Sequence, residues 1–130
     1  MRRFLPPLQG LAAAFATLGI AALLPASQRL DLLALVLALT AGIYMGFGFL
    51  DGRPLQKALE VAVGLAFLAA ALVGAQGRPL VLAGAWVAHV AWDLAHHPRR
   101  GVTTEIARWV PPFCLVYDLA IAAAIVLWWW

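Results

Sequence analysis

Five apolar runs, at residues 8–24, 30–50, 58–75, 79–97 and 111–130, fill most of a 130-residue chain. Each is close to the ~20 residues that an α-helix needs to cross the hydrocarbon core of a bilayer. None alternates polar and apolar residues over a sustained stretch, which rules out the strands of a membrane barrel. Hydrophobic residues make up 65% of the chain and charged residues 12%, against roughly 45–50% and about 25% in an average soluble domain. A soluble domain of this size cannot bury so much apolar surface. The expectation is therefore an all-α bundle of five transmembrane helices, a single transmembrane domain over 1–130, in a multi-pass protein of the cell (inner) membrane. Five spans leave no room for a separate catalytic, nucleotide-binding or DNA-reading domain. The net charge of +3 then reads as contact with lipid headgroups rather than with nucleic acid.

Proline and glycine mark the joints, at Pro25, Gly52 with Pro54, Gly77 with Pro79, Pro98, and Pro111 with Pro112. Five spans put Arg2, Arg3, Arg53, Lys57, Arg99, Arg100 and Arg108 on one side and only Arg29 and Arg78 on the other. That imbalance predicts a cytoplasmic N-terminus and an external C-terminus, with Arg99, Arg100 and Arg108 against anionic headgroups. Trp109 on one side, and Trp128, Trp129 and Trp130 on the other, are expected to anchor the two interfaces. Residues 104–110 are expected to form a short amphipathic turn in the interface, with Thr103 as its N-cap. Gly42 and Gly46 form a small-residue pair that lets another helix approach closely. A secretory leader cut after Ala26 is the rival reading of the first run, but it leaves Leu24 where a small residue is wanted. Cys114 is the sole cysteine and reads as a small buried hydrophobe.

An ionisable group at the centre of a span costs roughly 2.5–3.5 kcal/mol on insertion scales, so the positions of such groups carry the functional signal. Tyr44, Phe47, Gly48 and Asp51 share one face at the end of the second run. Lys57 and Glu60 open the third run; His89, Asp93, His96 and His97 end the fourth; Cys114, Tyr117 and Asp118 open the fifth. On this topology all of them lie toward the cytoplasmic leaflet, and Asp31 is the exception at the outer edge. At ~100° per residue, Asp93 falls about 40°, His96 about −20° and His97 about 80° from His89, so the four share one helix face. Imidazole and carboxylate groups one helical turn apart can chelate a single metal ion. His89, Asp93 and His96 are therefore expected as ligands of a divalent metal (Zn or Fe). Glu60 or Asp118 from facing helices would serve as a further ligand or general base. Tyr44, Asp51, Tyr117 and His97 belong to the same polar site, with His97 the least involved.

Plainer readings stand beside each of these. His96 and His97 can be solvated headgroup residues, Asp93 a structural ion-pair partner, and Lys57 with Glu60 an ordinary helix-surface pair. Asp51 can simply open a turn, and the two tyrosines can be packing residues with a polar tip. No phosphate loop, nucleophile elbow, His-Glu-x-x-His or Cys-x-x-Cys occurs. The stretch from Asp93 to His97 resembles one histidine box of the membrane fatty-acid desaturases and hydroxylases. Those families carry several boxes, however, and this chain has three histidines in all. The stretches AHVAWDLAHHP and RWVPPFCLVYDLAIAA, with a fainter echo in IYMGFGFLDGRP, resemble a family of small uncharacterised bacterial integral membrane proteins. That resemblance implies no mechanism, but it favours one polar site shared between spans two, four and five. Three functions remain open at this point. One is a metal-binding membrane protein acting on a lipid-soluble substrate; another is a proton-coupled carrier or channel component working as a homo-oligomer; the third is a structural or assembly protein.

Overall fold

A computed structural model describes residues 4–96 and 104–130. The described residues form five helices and no strand: α1 (Leu5–Ala22), α2 (Ala26–Asp51), α3 (Pro54–Ala75), α4 (Pro79–Ala95) and α5 (Val110–Trp129). Four of them are long and apolar enough to cross a membrane, and α4, with 17 residues, is shorter. At ~1.5 Å per residue α4 reaches about 25 Å, less than the ~30 Å hydrocarbon thickness.

Several helices start earlier than the apolar runs suggest. Pro6, Pro54, Pro79 and Pro111 lie inside the first turn of α1, α3, α4 and α5. In that turn the missing proline N–H has no intrahelical acceptor to lose, so proline starts a helix instead of preceding it. The α2–α3 joint closes on Gly52, whose φ of 78° lies in the left-handed region that ends helices.

The expected amphipathic turn over 104–110 does not form. Residues 104–107 have no helical structure, a turn covers 108–109, and α5 begins at Val110. The Thr104 hydroxyl turns inward to Glu60 instead of facing headgroups. The expected N-cap Thr103 lies outside the described residues, as do His97, Arg2, Arg3, Arg99 and Arg100.

The helices pack as an α2–α3 pair and an α4–α5 pair joined through α3 and α4, with α1 laid against α5. Small residues set the closest approaches. A Cβ on Gly10 would overlap the carbonyl oxygen of Phe113, and one on Gly48 would meet the Glu60 side chain at 2.8 Å. Gly42 and Gly46 face outward with nothing within 4 Å, so among the described residues no helix uses that pair.

The exterior differs from that of a water-soluble protein, and the core holds fully buried ionisable groups. Leu8, Phe15, Leu39, Phe49, Leu72 and Leu127 are exposed, while Glu60, His89, Asp93 and Asp118 have no exposed surface. An apolar exterior, over an apolar core that also encloses ionisable groups, suits a bundle solvated by lipid.

Candidate metal centre

The buried stripe of each central helix carries a polar residue toward the same end of the bundle. On α2 it runs Leu33, Leu37, Ala41, Tyr44; on α3 it runs Gly74, Ala71, Phe67, Gly64 and then Glu60. On α4 it runs Leu82, Trp86, His89, Asp93, and on α5 it runs back from Ile125 through Ile121 to Asp118. The spacing of three and four residues keeps each stripe on one face. The polar residues therefore inherit the inward direction of the apolar ones. All four helices bring them to the end of the bundle where α2 and α4 finish and α3 and α5 begin. At ~1.5 Å per residue, His89 lies about 9 Å and Asp118 about 12 Å inside the helix ends.

Three of the expected site residues meet. His89, Asp93 and Asp118 each offer a ligand atom, and those atoms lie within 4.8 Å of one another. His89 Nδ1 shares a hydrogen bond of 2.8 Å with Asp118 Oδ2 and lies 3.7 Å from Asp93 Oδ1. Tyr44, from α2, donates its hydroxyl to Asp93 Oδ1 at 2.5 Å. The His89 ring is held between Tyr44 and Phe67, with centroid distances of 5.2 and 4.9 Å. Each of the three ligand residues keeps one buried atom without a partner: His89 Nε2, Asp93 Oδ2 and Asp118 Oδ1.

Glu60 and His96 do not join that group, and the single pocket expected from the sequence is two. Glu60 Oε1 bonds His96 Nε2 at 2.7 Å and accepts from the Thr104 hydroxyl at 2.9 Å, while Oε2 accepts from Trp92 Nε1 at 3.2 Å. His96 shares the helix face of His89 but not its height along the axis. Seven residues on from His89 is about 10 Å of rise, too far for both imidazoles to hold one ion. Tyr44 stands between the groups, its ring 4.8 Å from that of His96.

The remaining expected residues take other roles. Asp51 holds Arg53 at 2.5 and 2.7 Å and accepts the Glu105 N–H at 3.2 Å, tying the end of α2 to the segment before α5. Its carboxylate holds the Arg53 guanidinium above the ordinary arginine pKa. Tyr117 shares a hydrogen bond of 2.9 Å with Thr17 of α1, because one residue from Asp118 is about 100° round the helix. Lys57 Nζ sits over the Phe49 ring, and Cys114 is buried beside Tyr44 and Val110. Trp92, Thr104 and Phe67 were missed. Trp92 lies one turn before His96, and Phe67 continues the stripe that begins at Glu60, so helical spacing already marked both. Thr104 lies in a non-helical segment, where no periodicity marks it.

Residues 6–129 match the model of DUF6010, a family of unknown function. No curated protein and no solved structure matches the chain.

Proposed function

The chain belongs to this DUF6010 family of unknown function, so its own residues must carry the functional reading. We propose that it is a multi-pass membrane protein that holds a divalent metal ion at His89, Asp93 and Asp118 and acts on a lipid-soluble substrate. The carrying observation is the arrangement of three fully buried donors, within 4.8 Å of one another, each with an atom that has no partner. One imidazole faces two carboxylates, so the ionised group is negative in an interior that does not tolerate net charge. A divalent cation with a neutral imidazole brings the sum to zero.

One nitrogen and two oxygen donors suit Zn or Fe. Three protein ligands also match the pattern of catalytic rather than structural zinc sites, which keep a position open. An ion held there would supply Lewis-acid chemistry. The protein's part is to hold the ligands. Tyr44 orients Asp93 from outside the group, and Phe67 and Tyr44 fix the plane of His89. The lipid-soluble substrate is supported by the depth of the group, about 10 Å along the helices, beneath an exterior of exposed apolar side chains. The positive-inside rule puts the metal end, with Arg53, Lys57 and Arg108, on the cytoplasmic face of the cell membrane and those cations among anionic headgroups.

Elemental analysis of detergent-purified protein tests this reading. The wild-type chain is expected to carry about one metal ion, by the donor count of a single site, and Asp118→Asn and His89→Ala to carry none. A wild-type content no higher than that of the variants would overturn it. The second reading, proton coupling in a homo-oligomer, draws on the 2.5 and 2.8 Å contacts, which are distances that protons bridge. Metal-free protein whose vesicles take up protons in a pH gradient would favour that reading.

A further inference from the structure

A cleft of about 580 Å³ opens on the exterior between α4 and α5, within the size range of ordinary ligand sites. Leu80, Gly84 and Val87 recur at the spacing of one helix face on α4, and Leu119, Ala123 and Val126 do the same on α5. A small residue sits in the middle of each face, so the leucines and valines stand as walls around a hollow. Ala83 and Ala122, both buried, form its floor. The hollow extends from Leu80 to Val87 and from Leu127 to Leu119, about 10–12 Å along the helices. All nine residues that line it are apolar or glycine. A second cleft, of about 490 Å³, shares Val126 and Leu127 with the first and carries the hollow on to Trp130. Trp130 is exposed at the end of α5, and tryptophan at the end of a membrane-crossing helix favours the headgroup boundary.

The surrounding solvent decides what fills such a hollow. Water does not occupy an apolar cleft within hydrocarbon, and an empty one leaves its walls without dispersion contacts. The cleft is too small to seat a second copy of the chain: a stable protein interface takes about 20–30 residues from each side, and nine line this one. It runs along helices that cross the bilayer, and so lies within the usual tilt of about 20° of the neighbouring lipid tails. A tail enters it sideways without leaving its leaflet. We infer that the α4–α5 cleft is a binding site for one acyl chain of a diacyl phospholipid, with the headgroup beside Trp130. Gly84 and Ala123 make the room for it. The inner end, at Val87 and Leu119, comes within about 3 Å of the height of His89 and Asp118 along their helices. Use of the bound lipid as a substrate rests on the metal reading above, whereas the site itself does not.

Photolabelling of the full-length protein in phosphatidylcholine vesicles tests the site. The probe is a phosphatidylcholine with a diazirine partway along one acyl chain, and mass spectrometry locates the adducts. Residues of the cleft are expected to carry more label than Leu35, Leu39 and Ile43, which are exposed on α2. Gly84→Phe fills the hollow from a position where a Cβ meets nothing within 4 Å, and labelling of the cleft should fall to the level of α2. Should that chain not fold, Ala123→Leu fills the hollow from the other helix. Equal labelling of the cleft and of α2 in the wild type would overturn the site, because the contact would then be that of any apolar surface. A filled variant that labels like the wild type would overturn it too. A chain with Gly84→Cys and Cys114→Ala that oxidises fully to a disulfide-linked dimer would put a second copy in the cleft and overturn the lipid assignment. Metal content is measured on the same samples. A metal-free wild type that labels in the cleft upholds the site and overturns only the metal reading.

Discussion

Asp93 and Asp118 each bond through one oxygen and leave the other buried without a partner. A buried polar atom left unpaired costs about 1–3 kcal/mol, and structures keep such atoms where a ligand or a water completes them. The same logic gives Tyr44 a measurable role. Tyr44→Phe removes the donor to Asp93 Oδ1 but leaves the ring against His89, His96 and Phe47. The expected result is a folded protein whose metal affinity falls roughly 10- to 100-fold, the usual cost of losing an orienting partner of a ligand. A zinc competition titration in detergent reads this directly. Equal affinities for the two chains would mean that the hydroxyl does not orient the ligand.

Between helices, glycine decides how near two backbones come. Gly10 lets α1 lie against the Phe113 carbonyl of α5, where any Cβ would overlap backbone that cannot rotate away. Gly10→Ala must push α1 off α5, and the expected loss of stability is about 1–3 kcal/mol, as for overpacking elsewhere. Gly46→Ala is the control. It meets nothing within 4 Å, and alanine is the better helix former by up to ~1 kcal/mol. Thermal unfolding in one detergent compares the two: Gly10→Ala should melt lower and Gly46→Ala no lower than wild type. A Gly46→Ala chain that melts lower, or changes its oligomeric state, would reveal a second chain packed on that outward face of α2.

At the scale of the whole molecule, the two ends of the bundle differ. One gathers Asp51, Arg53, Lys57, Glu105 and Arg108 around the ends of α2 and α3 and the approach to α5. At the other, Arg29 lies over the Trp128 ring, 5.4 Å from its centroid. The charge imbalance predicts the first end inside the cell. In a chain with Cys114 replaced by Ala, Arg53→Cys should label with an impermeant thiol reagent only in inverted vesicles, and Arg78→Cys only in intact cells. The reverse pattern would place His89, Asp93 and Asp118 toward the outer leaflet and contradict the orientation expected from charge.

The one-dimensional pattern determined the class and the face. Apolar runs of about 20 residues need nothing but their own length to be helices in lipid. Because Tyr44, Glu60, His89, Asp93 and Asp118 continue apolar stripes, their inward direction was readable from spacing alone. Helical angle, however, says nothing about which neighbour is met at which height. That is why His96 was expected beside His89, and Glu60 beside Asp118. Only the packing of α3 against α4 decided that Glu60 stands level with Trp92 and His96. Only the non-helical path before Pro111 brought Thr104 to the same carboxylate. The division of the buried polar residues into the His89, Asp93 and Asp118 group and a separate Glu60–His96 pair arises from these vertical offsets between helices. Side-chain contacts fix those offsets in three dimensions, and no periodicity in the chain encodes them.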